Sequence, residues 1–172
     1  MRAASAVERL KGQVFGFIGG RSLGIDTGSF DPMQWKKMFA IDSDHIDHEE
    51  IIRRAEQIEP ERIETTFKWL VESVGEVKYD EKLTEERLKY QVACYLATKD
   101  IIADRKLDFG AIKCMPDLTN FRAPQCISTA LLNGGYDADG DFEPFPISCE
   151  ADADGALSME ILKLVSLSLI HI

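Results

Sequence analysis

Apolar residues along this chain follow two periods, one typical of strands and one typical of helices. Short continuous apolar runs, as found in buried strands, occur at Val14–Ile18, at Phe109–Cys114 and at Phe145–Ser148. The stretch IDSDHID predicts a further short strand. Between these runs, apolar residues recur at helical spacing in EEIIRRAEQI, along Ile63–Val74 and after Thr84. The pattern therefore predicts strands that alternate with helices.

Residues that favour helix ends stand at the borders of the helical segments. Asp31 followed by Pro32 predicts an N-cap and a first helical position. Gly75 follows the last apolar position of one helix, and Thr84 is placed to cap the next. These borders support the division of the chain into separate elements.

Alternating strands and helices predict an α/β three-layer sandwich with a mainly parallel sheet, of the Rossmann or flavodoxin-like type. We expect a single domain over residues 1–166 of the 172-residue chain. In such sheets ligands bind beyond the carboxyl ends of the strands. Three segments qualify as ligand-binding loops: Gly19–Gly24, Lys113–Asn120 and Ser148–Asp154.

Composition narrows the classes of partner. The formal charge of −10 argues against binding to nucleic acid or to an anionic membrane surface, because both require clustered Lys and Arg. No run of about 20 apolar residues predicts a membrane span, and the N-terminal segment lacks the apolar core of a signal peptide. The four cysteines are far apart, with no C-x-x-C pair. These features predict a cytoplasmic protein with reduced thiols.

The acidic stretch CEADADGALSMEIL, Cys149–Leu162, is the densest cluster of candidate ligands. An EF-hand calcium loop starting at Glu150 would place Gly155 correctly at position 6. Position 12, however, is Ile161 instead of a carboxylate. Pro144 and Pro146 also make a preceding helix improbable, so calcium is disfavoured.

The three acids of this stretch have separate interpretations. Asp154 is placed to be the N-cap of the last helix, and Asp152 to favour its positive end. A capping or surface role is the simplest reading of Glu150 as well. However, Glu150 follows an apparent buried strand directly, so it is also the acid best placed to point into a pocket.

Other candidate sites carry weaker signals. The loop GGRSLGIDTG follows a strand but has neither dinucleotide nor Walker-type spacing, so a tight glycine turn explains it as well as phosphate binding does. His45 and His48 have a spacing that suits one helix face, although surface histidines near a helix start are the simpler interpretation. A second acidic string, which begins at Asp137, has Phe142 at the glycine position and is interpreted as a solvated turn.

Four stretches give the chain a resemblance to the L-fucose isomerases, which are cytosolic aldose–ketose isomerases. They are IGGRSLGIDTGSFDPMQW, HIDHEEIIRRAE, the region from IKCMPDLTNF to ALLNGGYDADG, and EPFPISCEADADGALSMEIL. Together they span most of the chain in family order. The resemblance implies the middle α/β domain of a longer, three-domain enzyme.

The resemblance implies a metal-dependent isomerase that interconverts L-fucose and L-fuculose, or D-arabinose and D-ribulose, through a cis-enediol. Family members bind a divalent cation, usually manganese, through a Glu, an Asp and a His. The Glu carries over to Glu150, which is expected to be a metal ligand and a catalytic acid/base group. The Asp is expected just past the end of this chain and the His in a further domain. The family also implies a homo-oligomer, and Met115 stands where many relatives have a Gln that faces the sugar.

The residues after the last family-like stretch do not continue the resemblance. Residues 167–172, LSLIHI, do not resemble the family continuation and are interpreted as a non-native tail. The fragment alone is expected to be inactive, because a catalytic cation typically needs about three protein ligands. The alternative hypotheses are a non-catalytic sugar-binding or regulatory α/β domain and, more weakly, a functionless remnant.

Overall fold

The computed structural model describes residues 2–166 and has mixed α/β structure. The helices are α1 Arg2–Leu10, α2 Pro32–Phe39, α3 His48–Ala55, α4 Pro60–Val74, α5 Glu85–Arg105, α6 Asp117–Phe121, α7 Cys126–Gly134 and α8 Ala153–Ser166. The strands are β1 Val14–Ile18, β2 Asp42–Ile46, β3 Phe109–Ile112, β4 Tyr136–Asp137, β5 Gly140–Asp141 and β6 Ile147–Cys149. The predicted tail, 167–172, lies outside the described residues.

The main sheet has four strands in the order β2-β1-β3-β6, and every neighbouring pair is parallel. Phe15 is in register with Ser43 on one side and with Phe109 on the other. The chain thus builds the sheet outward from β1 in one direction and then returns to build it from β3 in the other. This order is that of a flavodoxin-like, doubly wound sheet. The predicted α/β class with a mainly parallel sheet is confirmed.

Helices cover both faces of the sheet, because the strands are apolar on both sides. Phe15 and Phe109 point into a core shared with α1, α2 and α8. Ile18 and Ile112 point into the opposite core, which α3, α4, α5 and α7 complete. This alternation follows the two-residue period of a strand. The result is the predicted arrangement of three layers.

The predicted helix borders agree with the structure. The carboxylate of Asp31 accepts hydrogen bonds from the backbone N–H groups of Met33 and Gln34, and α2 begins at Pro32. The Thr84 hydroxyl accepts from the N–H of Arg87 at the start of α5. Gly75, with φ of +80°, ends α4. Local chemistry therefore determines these borders.

Two local predictions differ from the structure. The Lys113–Asn120 loop contains the short helix α6, which the sequence pattern did not indicate. The acidic turn at Asp137 forms the hairpin β4–β5, and the interpretation of this residue as solvated is wrong. Asp137 is only 4% exposed, since it accepts hydrogen bonds from the Tyr95 hydroxyl and from Lys99 on α5. The acid is buried because α5 supplies its partners.

Within residues 2–166, no helix combines the length and the apolar character needed to cross a bilayer.

Candidate functional site

The three predicted ligand loops meet at the carboxyl edge of the main sheet. They follow β1, β3 and β6, and Ser22, Cys114 and Glu150 from these loops are in direct contact. The strand order reverses between β1 and β3, where a doubly wound sheet opens a crevice for ligands. The structure therefore brings together segments that lie more than a hundred residues apart in the sequence.

The Glu150 carboxylate is the centre of this contact. Its Oε2 accepts hydrogen bonds from the Ser22 hydroxyl at 2.8 Å, the Met115 N–H at 3.0 Å and the Cys114 N–H at 3.4 Å. Its Oε1 is 2.8 Å from the Cys114 thiol and 3.9 Å from the Cys149 thiol. One oxygen is thus held by strong donors, whereas the other contacts only thiols, which are weak donors.

Glu150 is ionised at neutral pH in this setting. Burial raises the pKa of Glu150, but the hydrogen bonds from the Cys114 thiol, the Met115 N–H and the Ser22 hydroxyl outweigh burial, and the net pKa lies below its ordinary 4.5. Burial, together with the hydrogen bond to Glu150, raises the pKa of Cys114 to about 11. Cys114 therefore remains a protonated donor, and the site carries one negative charge on a fixed carboxylate.

The backbone at Glu150 has an uncommon conformation. Glu150 and Ala151 have φ values of +56° and +54°, in the left-handed region that non-glycine residues rarely adopt. The N–H of Ala151 donates to the carbonyl of Ile112 at 3.0 Å, which ties this turn to the end of β3. Backbone strain of this kind is concentrated at functional sites. The turn directs Glu150 across the sheet edge toward the other two loops.

The start of α8 corrects one prediction. Asp152, and not Asp154, is the N-cap, because its carboxylate accepts the N–H of Gly155 at 2.9 Å and the helix begins at Ala153. Asp154 is exposed in the first helical turn. Neither aspartate contacts the carboxylate of Glu150. Of the acidic residues in this stretch, Glu150 alone enters the site.

A cleft of about 390 Å³ lies at the same sheet edge, between the ends of β1 and β2. His45 and His48 both line it, but His45 is an exposed residue of β2 and His48 begins α3, so they do not share one helix face. The simpler interpretation, histidines near a helix start, agrees with this placement. His48 Nε2 donates to the carbonyl of Lys113 at 2.7 Å. Gly19 makes room for this ring, since a Cβ there would lie 1.9 Å from Nε2. His48 thus links α3 to the loop after β3.

The chemistry of the Glu150 carboxylate and its neighbours bears on whether a metal ion could bind there. A ligand carboxylate must be deprotonated, and Glu150 meets that condition. Oε1 contacts only the Cys114 and Cys149 thiols, which are weak donors, so it is the oxygen that could bind a cation. In the described part of the chain, no group of three or more His, Cys, Asp or Glu side chains is arranged to hold a metal ion. Glu150 therefore fits the role of one ligand, and the predicted Asp and His are not among its neighbours.

Sequence reasoning identified Glu150 and the three loops but missed the donors that hold the carboxylate. Ser22 is only 2% exposed, and it carries no motif that would single it out. Cys114 belongs to no C-x-x-C pair, and Met115 acts here through its backbone N–H. The sequence feature that could have indicated these residues is that each lies in a loop directly after a strand of the main sheet.

No known protein-family model matches this chain, and no curated protein matches it at a significant level of similarity. The resemblance to the L-fucose isomerases stays a prediction from the quoted motifs.

Proposed function

We propose that this chain is the middle α/β domain of a metal-dependent aldose–ketose isomerase of the L-fucose isomerase type, with Glu150 as a ligand of its divalent cation. The observation that supports this proposal is the convergence of three loops on one ionised carboxylate at the carboxyl edge of the sheet. A carboxylate used only as a cap or a surface group has no need of donors from two other loops. The strained turn that aims Glu150 at this point has the same implication.

The chemistry proposed is proton transfer between C2 and C1 of an open-chain sugar. A divalent cation, when bound, supplies Lewis-acid stabilisation of the negative charge on the sugar oxygens of the enediol. Ser22 and the Met115 N–H hold Oε2, which leaves Oε1, in contact only with thiols, as the oxygen that would bind the cation. Glu150 can also hold a proton during the transfer, but its lowered pKa makes it a weak base. The second acid/base group would be the Asp expected from the family.

The donors around Glu150 would act as positioning groups. They keep the carboxylate ionised and prevent its rotation, which a metal ligand requires. The exposed side chain of Met115 stands beside this site and would meet the sugar where relatives carry a Gln. A thioether offers no strong hydrogen bond, so the sugar preference is expected to differ from that of relatives with an amide at this position.

The test is to read the gene across codon 172 and to express the complete reading frame. We expect the frame to continue into a segment with an Asp and later a His, and the product to interconvert L-fucose and L-fuculose with manganese. Glu150→Gln should abolish this activity, whereas Asp154→Asn, a matched change in the same acidic stretch, should preserve it. The 172-residue chain alone should be inactive.

Two outcomes would contradict the proposal. A stop codon directly after codon 172 would leave Glu150 without the other ligands. Sugar binding that does not respond to manganese or to EDTA would instead favour a non-catalytic sugar-binding domain.

A further inference from the structure

A second cavity, of about 640 Å³, lies away from Glu150, between the turn 80–83, the first turns of α5 and residues 119–124. Its volume is in the range of small-molecule sites. It shares none of the residues that contact Glu150. Its walls are formed by Asp80, Lys82, Leu83, Arg87, Gln91, Thr119, Asn120, Phe121, Arg122, Ala123 and Pro124.

Basic groups dominate this cavity although the chain as a whole is strongly acidic. Lys82, Arg87 and Arg122 line it, against the single carboxylate of Asp80. Asp80 Oδ1 is engaged by the backbone N–H groups of Lys82 and Leu83, both at 2.7 Å. Within residues 2–166, Lys82 and Arg87 form no ion pair, and Arg122 has only Glu56 at 3.8 Å. The three basic side chains of the wall thus outnumber the two nearby carboxylates, Asp80 and Glu56, and the cavity keeps a net positive charge.

The side-chain amide of Gln91 is a second, independent reason to expect a ligand in this cavity. This residue of α5 is only 9% exposed, and it lines the cavity. Its side-chain amide makes no hydrogen bond to any residue that the structure describes. The amide reaches the cavity and is free to donate and accept hydrogen bonds there. A ligand in the cavity would supply the missing partner.

The remaining wall includes an apolar surface. Phe121 is 80% exposed and lies at the end of α6, on the rim of the cavity. Its ring is accessible to stack against the organic part of a ligand. The cavity thus combines cations, a buried amide and an exposed ring.

We propose that this cavity binds a phosphorylated small molecule, with the phosphate held by Arg87 and Arg122. The planar guanidinium fork matches the geometry of phosphate oxygens and can bind them through paired hydrogen bonds. Arg87 is already oriented by a hydrogen bond of Nη1 to the carbonyl of Lys82 at 2.7 Å. Gln91 would hydrogen-bond the organic part of the ligand. This site does not depend on the proposed isomerase activity.

The experiment is a titration of the 172-residue chain with ribose 5-phosphate, AMP and inorganic phosphate, followed by ¹H–¹⁵N NMR at low ionic strength. Amide signals of Asn120, Phe121 and the 80–83 turn should shift. Arg87→Gln and Arg122→Gln should each weaken binding by about tenfold or more, since each removes charge-assisted hydrogen bonds. Lys37→Gln on α2 removes the same charge outside the cavity and should leave the affinity within about twofold.

Gln91→Leu separates a ligand contact from a structural role. The variant should fold about as stably as the parent, because the Gln91 amide makes no hydrogen bond to any described residue. It should nevertheless bind ribose 5-phosphate more weakly. AMP binding that exceeds ribose 5-phosphate binding and depends on Phe121 would identify a nucleotide, and equal binding would identify a sugar phosphate. Shifts absent at millimolar ligand, or equal losses in Arg87→Gln and Lys37→Gln, would overturn the proposal.

Discussion

Two glutamates ten positions apart, Glu150 and Glu160, lie at opposite edges of the same sheet in opposite environments. Glu150 lies at the carboxyl edge and accepts hydrogen bonds from two backbone N–H groups, a hydroxyl and a thiol. Glu160 lies at the amino edge, where its carboxylate receives one hydrogen bond, from Gln13 Nε2 at 2.7 Å. Both carboxylates belong to the same acidic stretch. Glu150 therefore has several donors that stabilise its charge, whereas Glu160 has only one.

The pKa values of the two groups move in opposite directions. Burial raises the pKa of Glu160, because the residue is 1% exposed and the single hydrogen bond from Gln13 does not compensate. Among the described residues, Glu160 Oε2 and Gln13 Oε1 have no hydrogen-bond partner. A proton on Glu160 removes the buried charge and adds a donor. The number of donors, and not residue type or sequence position, therefore sets the direction in which each pKa moves.

The largest expected effect comes from Gly19→Ala, which breaks the carboxyl edge. The change should lower the free energy of unfolding by about 2–4 kcal/mol, because φ is +84° and the new Cβ would displace His48 from the Lys113 carbonyl. Gly20→Ala is the matched control: its φ is +73°, but nothing lies within 4 Å of its Cβ. It should cost only about 1–2 kcal/mol. Equal losses in urea unfolding of the two variants would contradict this account of the edge.

Glu150→Gln should have a smaller effect, of about 1–2 kcal/mol at pH 7. The substitution removes the charge that the Ser22, Cys114 and Met115 donors stabilise. Because the folded pKa of Glu150 is lowered, its contribution to stability is present above the ordinary pKa of 4.5 and is lost as pH falls through the folded value. Urea unfolding of the parent and the variant should therefore converge in acid. A constant difference at all pH values would argue against an ionised, donor-stabilised Glu150.

Glu160→Gln should have the smallest effect at acidic pH and the opposite pH dependence. The folded pKa of Glu160 is raised, so its contribution to stability is fully present below 4.5 and is lost as pH rises through the folded value. The variant cannot ionise and should gain stability relative to the parent as pH rises from 4.5 through the folded pKa of Glu160. Urea unfolding across this range measures the difference. A parent that loses nothing relative to the variant would show that Glu160 does not resist ionisation.

The fold could be predicted from the sequence wherever local chemistry determines structure. The strand β1 and the caps at Asp31, Thr84 and Gly75 depend on residues within a few positions of one another. The mainly parallel sheet followed from the alternation of elements. The buried state of Asp137 could not be predicted, because its partners Tyr95 and Lys99 are about forty residues away.

The candidate site, like the fold, was only partly predictable from the sequence. Glu150 and its loop were predicted because the residue follows a buried strand and begins a helical run. The donors Ser22 and Cys114 could not be assigned, since their meeting depends on the order of strands in the sheet. The cap of α8 was misplaced by two residues, on Asp154 instead of Asp152, because both acids suit that role chemically. The hydrogen bond from the Gly155 N–H to Asp152, and the start of α8 at Ala153, distinguish them.

The most direct test of the central claim, that Glu150 is a positioned metal ligand, is a Mn²⁺ titration of the chain followed by ¹H–¹⁵N NMR. Paramagnetic broadening detects even the weak binding expected of one carboxylate. We predict selective broadening of the Ser22, Cys114 and Met115 amides, its loss in Glu150→Gln and its retention in Asp154→Asn. Broadening confined to other acidic segments, or unchanged in Glu150→Gln, would contradict the claim.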